Sequence, residues 1–212
     1  MSQDAVDDYI LDHISPEPPH LNRLYRHTHI SHLYPRMCSG HLQGRLLAMI
    51  VAMVKPLRVL ELGTFTGYSA LCLAETLPEG GRVHTVEIDD EMEEELTELF
   101  ATSPGGDRVT LHVGDALDII PELDEKWDLV YIDANKRDYR RYLDLLLERL
   151  RPGAFLLADN TLWDGKVTDT ARNHDAQTLA LDDFNTYVAS HPRLESVILP
   201  LRDGLTLIRV KE

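Results

Sequence analysis

Two apolar runs in this sequence end in oxygen ligands. Val130, Tyr131 and Ile132 lead into Asp133, and Leu157 and Ala158 lead into Asp159 and Asn160. If the two runs are neighbouring parallel strands, their ends bring two carboxylates and one carboxamide together. That ligand set is hard and suits Mg²⁺, Mn²⁺ or Ca²⁺ far better than zinc. Carboxylates this close repel each other, so a cation belongs between them; the plainer alternative is a cluster of strand-end caps. A metal there would lower the pKa of a bound hydroxyl and fix its direction. Lys136 stands three residues after Asp133. It could take the hydroxyl proton as a general base, or sit at the surface and pair with Asp138. The residues alone leave those two readings level.

A second constellation lies upstream. Residues 59–69, VLELGTFTGYS, read as a strand, a glycine turn and a helix start. Gly63 lets the backbone approach a ligand, Gly67 closes the turn, and the helix N–H groups face the ligand. The spacing is not the G-x-G-x-x-G dinucleotide pattern, and Glu61 lies inside the strand end. A carboxylate there would repel a pyrophosphate but suits a ligand carrying an amine or a positive charge. Glu87 ends the next strand, where a carboxylate accepts hydrogen bonds from both ribose hydroxyls; the alternative is a solvated strand end. Asp89 reads as a helix cap. Asp115, in Gly114-Asp115-Ala116 after the third strand, could accept from an adenine amine, cap the next helix, or do both through different atoms.

The elements that must position these groups follow from periodicity. Strands are expected at 58–62, 82–88, 109–113, 129–132, 154–158, 194–199 and 205–210. Helices are expected at 39–54, 68–77, 91–101, 116–123, 138–150 and 174–189. Ser39 is the expected cap of the first, and Asp90 with Glu93 the expected capping box of the third. This alternation predicts an α/β fold, a Rossmann-like, doubly wound, mostly parallel seven-stranded sheet with helices on both faces. A turn at 202–204 would close an antiparallel C-terminal hairpin. One domain over 1–212 is the simplest organisation, with residues 1–36 as a helical cap broken by Pro16, Pro18 and Pro19.

Composition narrows the class. The formal net charge is -15, which disfavours nucleic-acid and acidic membrane partners unless basic residues such as Arg36, Lys136, Arg137, Arg140, Arg141 and Lys166 gather on one face. No run of about 18 apolar residues suggests a membrane span. The acidic N-terminus does not resemble a signal peptide, and Cys38 and Cys72 make no disulfide or metal framework. A cytoplasmic protein is expected. His13, His20, His27, His29 and His32 crowd the N-terminal segment, with His41 just beyond. The spacings at His27, His29 and His32 do not share one helix face, so solvated or hydrogen-bonded histidines are expected there rather than zinc ligands.

The segments VLELGTFTGYSA, VEID, DLVYIDANKRDY and LLADNTLWDGKV, in this order and spacing, resemble the cation-dependent small-molecule O-methyltransferases. That family includes catechol O-methyltransferase, the plant caffeoyl-coenzyme A O-methyltransferases and bacterial relatives. The likeness runs from about Tyr34 onward. It implies S-adenosylmethionine as donor, with Glu61, Gly63, Tyr68 and Ser69 at the donor site and Ser69 near the methionine carboxylate. It implies Glu87 on the ribose, Asp115 and Ala116 at the adenine edge, and Asp133 near the methionine amine. Asp133, Asp159 and Asn160 become the metal ligands and Lys136 the general base. The acceptor would be a hydroxyl on an aromatic ring with a neighbouring oxygen, walled by Trp163 and by Tyr34, Pro35, Arg36 and Met37. Ala134 and Asn135 stand where catechol O-methyltransferase has histidine and tryptophan, which points to the caffeoyl-coenzyme A and bacterial branch. The resemblance also implies a homodimer, and it leaves a hydroxylated uridine of transfer RNA as an alternative acceptor.

Overall fold

From residue 58 onward, short apolar runs alternate with amphipathic ones, and each becomes a strand or a helix. The computed structural model describes residues 3–211. Its helices are α1 (Gln3–His13), α2 (Pro19–Ser31), α3 (Gly40–Val54), α4 (Tyr68–Glu75), α5 (Glu93–Thr102), α6 (Ala116–Glu122), α7 (Tyr139–Leu146) and α8 (Ala176–Ser190). Its strands are β1 (Arg58–Leu62), β2 (Arg82–Glu87), β3 (Val109–Val113), β4 (Trp127–Ile132), β5 (Leu150–Asp159), β6 (Leu194–Leu199) and β7 (Leu205–Val210). They form one sheet in the order β3-β2-β1-β4-β5-β7-β6. The first five are mutually parallel, and β7 inserts antiparallel between β5 and β6.

Strand order reverses between β1 and β4, which opens a crevice beyond their carboxyl ends. In register, Leu62 faces Ile132 and Ile132 faces Ala158. The residues that follow, Gly63, Asp133 and Asp159, therefore leave the sheet side by side.

Side chains alternate across the pleat. Leu60, Leu62, Val130, Ile132, Leu156 and Ala158 face α6, α7 and α8. Val59, Leu129, Tyr131 and Leu157 face α2, α3, α4 and α5. Pro19 occupies the first turn of α2, where its missing N–H costs nothing. Both cysteines are free and buried.

Several expectations need correction. Strand β5 begins at Leu150 because Leu150 pairs with Trp127, and the register then shifts to Leu129–Phe155 across a bulge holding Pro152 and Gly153. That pairing also ends α7 at Leu146. Ser39 has helical backbone and makes no capping bond. The Asp90–Glu93 box is not formed; Asp89 caps a 3-10 turn at Asp90–Met92, and α5 starts after it. Among the described residues, one stretch, Pro35–Val54, is long and apolar enough by length and composition to cross a membrane. Here its Leu47, Ile50 and Val51 are buried in the core shared with α4.

Candidate active site

The crevice is a cavity of about 1150 Å³, large enough for two ligands side by side. The β1–α4 turn forms one wall. A Cβ on Gly63 would lie 2.2 Å from the carbonyl oxygen of Asp133. The bare position thus serves first to let the β1 and β4 loops touch, a neighbour that sequence reasoning did not anticipate. Gly63 also has φ +96, and Phe65, two residues on, holds φ 48.

Glu87 leaves β2 with both oxygens oriented by backbone. Phe65 N–H donates to Oε2 at 2.7 Å and Asp89 N–H to Oε1 at 3.0 Å. Asp115 caps α6 by accepting from Leu117 N–H at 2.9 Å, and it also lines the cavity beside Gly114 and Ala116. Ser69 lines the cavity.

Glu61 lies behind this wall, fully buried. Its Oε2 accepts from the Thr85 hydroxyl at 2.5 Å, while Oε1 has no partner. Burial pushes its carboxyl up to about 8. A cationic or amine-bearing ligand near Ser69 would offset that cost, so this wall fits the donor the sequence implies. Tyr68 lines the cavity beside Ser69 and has a second contact behind the wall. It is 2 % exposed, and its hydroxyl donates to Glu17 at 2.5 Å, tying α4 to the link between α1 and α2.

The opposite wall carries Asp133, Asp159, Asn160 and Lys136, all lining the cavity. Lys136 is 9 % exposed. Its Nζ donates to Asp133 Oδ1 at 2.7 Å and to the Tyr139 hydroxyl at 2.8 Å. Asp138 instead pairs with Arg141, so the surface-lysine reading is excluded. Asp159 is 3 % exposed. Burial, then the neighbouring Asp133 charge, raises its carboxyl above the usual range. That repulsion, only partly offset by Lys136, together with Asn160 at φ 57 beside it, fits a hard divalent cation held by Asp133, Asp159 and Asn160.

Four residues here escaped sequence reasoning. Gln43 Nε2 donates to Asp159 Oδ2 at 2.7 Å, and the Tyr131 hydroxyl donates to the same oxygen at 3.0 Å. The Tyr139 hydroxyl contacts the Ile132 and Asp159 carbonyls at 3.1 and 2.9 Å, joining the ends of β4 and β5. Arg202 Nη1 reaches Ser39 O at 2.6 Å and Gln43 Oε1 at 3.0 Å, and Nη2 reaches Arg36 O at 3.0 Å. A polar residue on the apolar face of α3 was the one available signal, for Gln43. Tyr34, Pro35, Arg36 and Met37 line the mouth, and Trp163 lines the cavity with them.

Comparison with known proteins defines the class. The O-methyltransferase family profile matches residues 12–211. Caffeoyl-CoA O-methyltransferase of Stellaria longipes is 30% identical, covering 99% of this chain and 91% of that one. Tricin synthase 1 of Oryza sativa subsp. japonica is 31% identical, covering 99% and 89%. The O-methyltransferase TomG of Streptomyces achromogenes, solved with SAM, has TM-score 0.92 and 32% identity over 100% of both chains. The Bacillus cereus O-methyltransferase, solved with SAH, has TM-score 0.90 and 29% identity over 98% of this chain and 97% of that one. This chain belongs to the O-methyltransferase family and is an S-adenosylmethionine-dependent enzyme.

Proposed function

We propose that this enzyme methylates one hydroxyl of a small catechol-like aromatic whose two neighbouring oxygens are held by a divalent cation. The observation that carries the reading is Lys136. It is buried, aimed into the cavity, and fixed between Asp133 and Tyr139 on the wall that also carries Asp159 and Asn160.

Asp133, Asp159 and Asn160 would hold the cation, Mg²⁺ by their hardness. When bound, it supplies Lewis-acid polarisation and a fixed direction for the acceptor hydroxyl. Lys136 is the group placed to receive the hydroxyl proton at Nζ. The acceptor oxygen forms its new bond to the methyl carbon as the carbon–sulfur bond breaks, leaving S-adenosylhomocysteine. Tyr139 keeps Nζ in place, Trp163 offers a flat wall, and residues 34–37 shield the mouth from water. The two plant relatives carry small-molecule names, caffeoyl-CoA and tricin, and the RNA acceptor gains no support from any relative named above. The reading extends to a homodimer working in the cytoplasm, where buried Cys38 and Cys72 stay reduced. Sedimentation as a monomer at working concentration would remove the dimer.

The test is turnover of a panel holding a catechol, caffeate and caffeoyl-coenzyme A, with Mg²⁺ and with chelator. Chelator-sensitive methylation of a vicinal diol is expected. Full turnover after thorough metal removal would overturn the cation's role.

A further inference from the structure

A second set of metal-ligating side chains lies outside the acceptor wall. His32 Nε2 is 3.2 Å from Glu95 Oε1, and His27 Nε2 is 3.6 Å from the same oxygen. One ligand atom from each of the three lies within 4.8 Å of the others. A tetrahedral zinc with bonds of about 2.0–2.1 Å places its ligand atoms roughly 3.3 Å apart. Small ring rotations would therefore bring these three atoms to that spacing.

The arrangement arises where α2 stops. His27 and His32 are five residues apart and would point to different faces of a continuous helix. The helix ends at Ser31, and His32 takes extended backbone, φ -107 and ψ 147. That turn swings the His32 ring back beside His27, with ring centroids 6.0 Å apart. The Ser31 hydroxyl lies 3.4 Å from His27 Nδ1. A contact there leaves Nε2 facing Glu95, the usual outer support of a metal-bound imidazole. Glu95 sits in the first turn of α5 with Glu93 and Glu94, a negative neighbourhood for a cation.

We propose that His27, His32 and Glu95 form a zinc site, with water at the fourth position, that fastens the N-terminal cap to α5 beside the donor cavity. Two imidazoles and one carboxylate favour zinc, whereas the all-oxygen set at Asp133, Asp159 and Asn160 favours Mg²⁺. The two sites therefore select different ions. The zinc site abuts the donor wall. His32 lines the cavity and meets Phe65 edge to face at 5.6 Å. The Phe65 N–H in turn holds Glu87. A metal that locks His32 to α5 would hold this edge of the mouth shut over a bound donor. The inference stands on residues separate from the proposed acceptor chemistry and does not depend on it.

The experiment is calorimetric titration of the full-length protein with Zn²⁺ in excess Mg²⁺, which occupies the oxygen site. Co²⁺ absorption serves as a second readout of tetrahedral coordination. One Zn²⁺ per chain is expected, weakened about tenfold or more in His32→Ala and in Glu95→Gln. Glu95→Gln should melt like the parent, since Glu95 is exposed, and it separates metal binding from the packing of His32 on Phe65. Dissociation of S-adenosylhomocysteine, followed by stopped flow, should slow with Zn²⁺ in the parent but not in His32→Ala. Absence of binding, or binding that both single variants retain, would overturn the site. Binding that leaves ligand dissociation unchanged would overturn its fastening role.

Discussion

Gln43 Nε2 donates to Asp159 Oδ2 at 2.7 Å across 116 residues of sequence. This bond couples the helix behind the mouth to the carboxylate at the end of β5. The same oxygen accepts from Tyr131, so Oδ1, which accepts from Asn160 N–H, is the less encumbered one for the proposed cation.

Replacing Gln43 by Leu should act through Asp159 rather than on the donor. Loss of a buried partner to a metal ligand lowers metal affinity about 10–100-fold. The apparent activation constant for Mg²⁺ should rise by that order, while donor affinity measured by calorimetry stays within about twofold of the parent. A matched fall in donor affinity would point to general distortion instead.

Lys136→Ala should lower the catalytic rate by about 10²–10⁴, the range for a general base, with donor affinity largely retained. Lys136→Arg should not rescue, because a guanidinium stays protonated. Rate recovery in Arg would contradict proton transfer to Nζ.

Gly63→Ala should destabilise the enzyme and spoil the donor site together. The φ of +96 alone costs about 1–3 kcal/mol for a side-chain-bearing residue. The new Cβ must also push the Asp133 carbonyl away, so thermal unfolding and the Mg²⁺ dependence should both shift. An unchanged melting temperature would refute the close approach.

Glu61 predicts a pH signature in the ligand-free protein. Its folded carboxyl is raised to about 8, against 4.5 as the ordinary value. Between those limits the folded state keeps a proton that the unfolded state has lost. Stability therefore falls as pH rises from about 4.5 to 8, by up to ~1.4 kcal/mol per unit, and levels off above. Denaturant unfolding of Glu61→Gln should lack this component, so the variant gains on the parent as pH rises. Parallel curves for the two would exclude the assignment.

Much of this architecture was legible in the sequence, for a physical reason. The parallel strands are short apolar runs, and the residues that leave their ends are the polar ones. Asp133 and Asp159 could be placed side by side from that pattern alone. What sequence could not supply is contact between distant elements. The family resemblance put Tyr68 at the donor site, and it does line the cavity, but nothing in the sequence announced the bond from its hydroxyl to Glu17. Nothing in the sequence marked the hydroxyls of Tyr131 and Tyr139, whose partners emerge only once β4 and β5 are adjacent. The His27–His32 pair was hidden because helical periodicity assumes the helix continues, and α2 ends between them.

Arg202 lies on the turn between β6 and β7, yet its guanidinium holds the carbonyls of Arg36, Cys38 and Ser39 at the mouth. The order of synthesis gives this a consequence. During translation, the segment around residues 36–43 leaves the ribosome more than 150 residues before its anchor does. Until then neither Gln43 nor the mouth has its final support. The nascent chain can form its central parallel strands early, but a working catalytic pocket must wait for the last hairpin to thread β7 between β5 and β6.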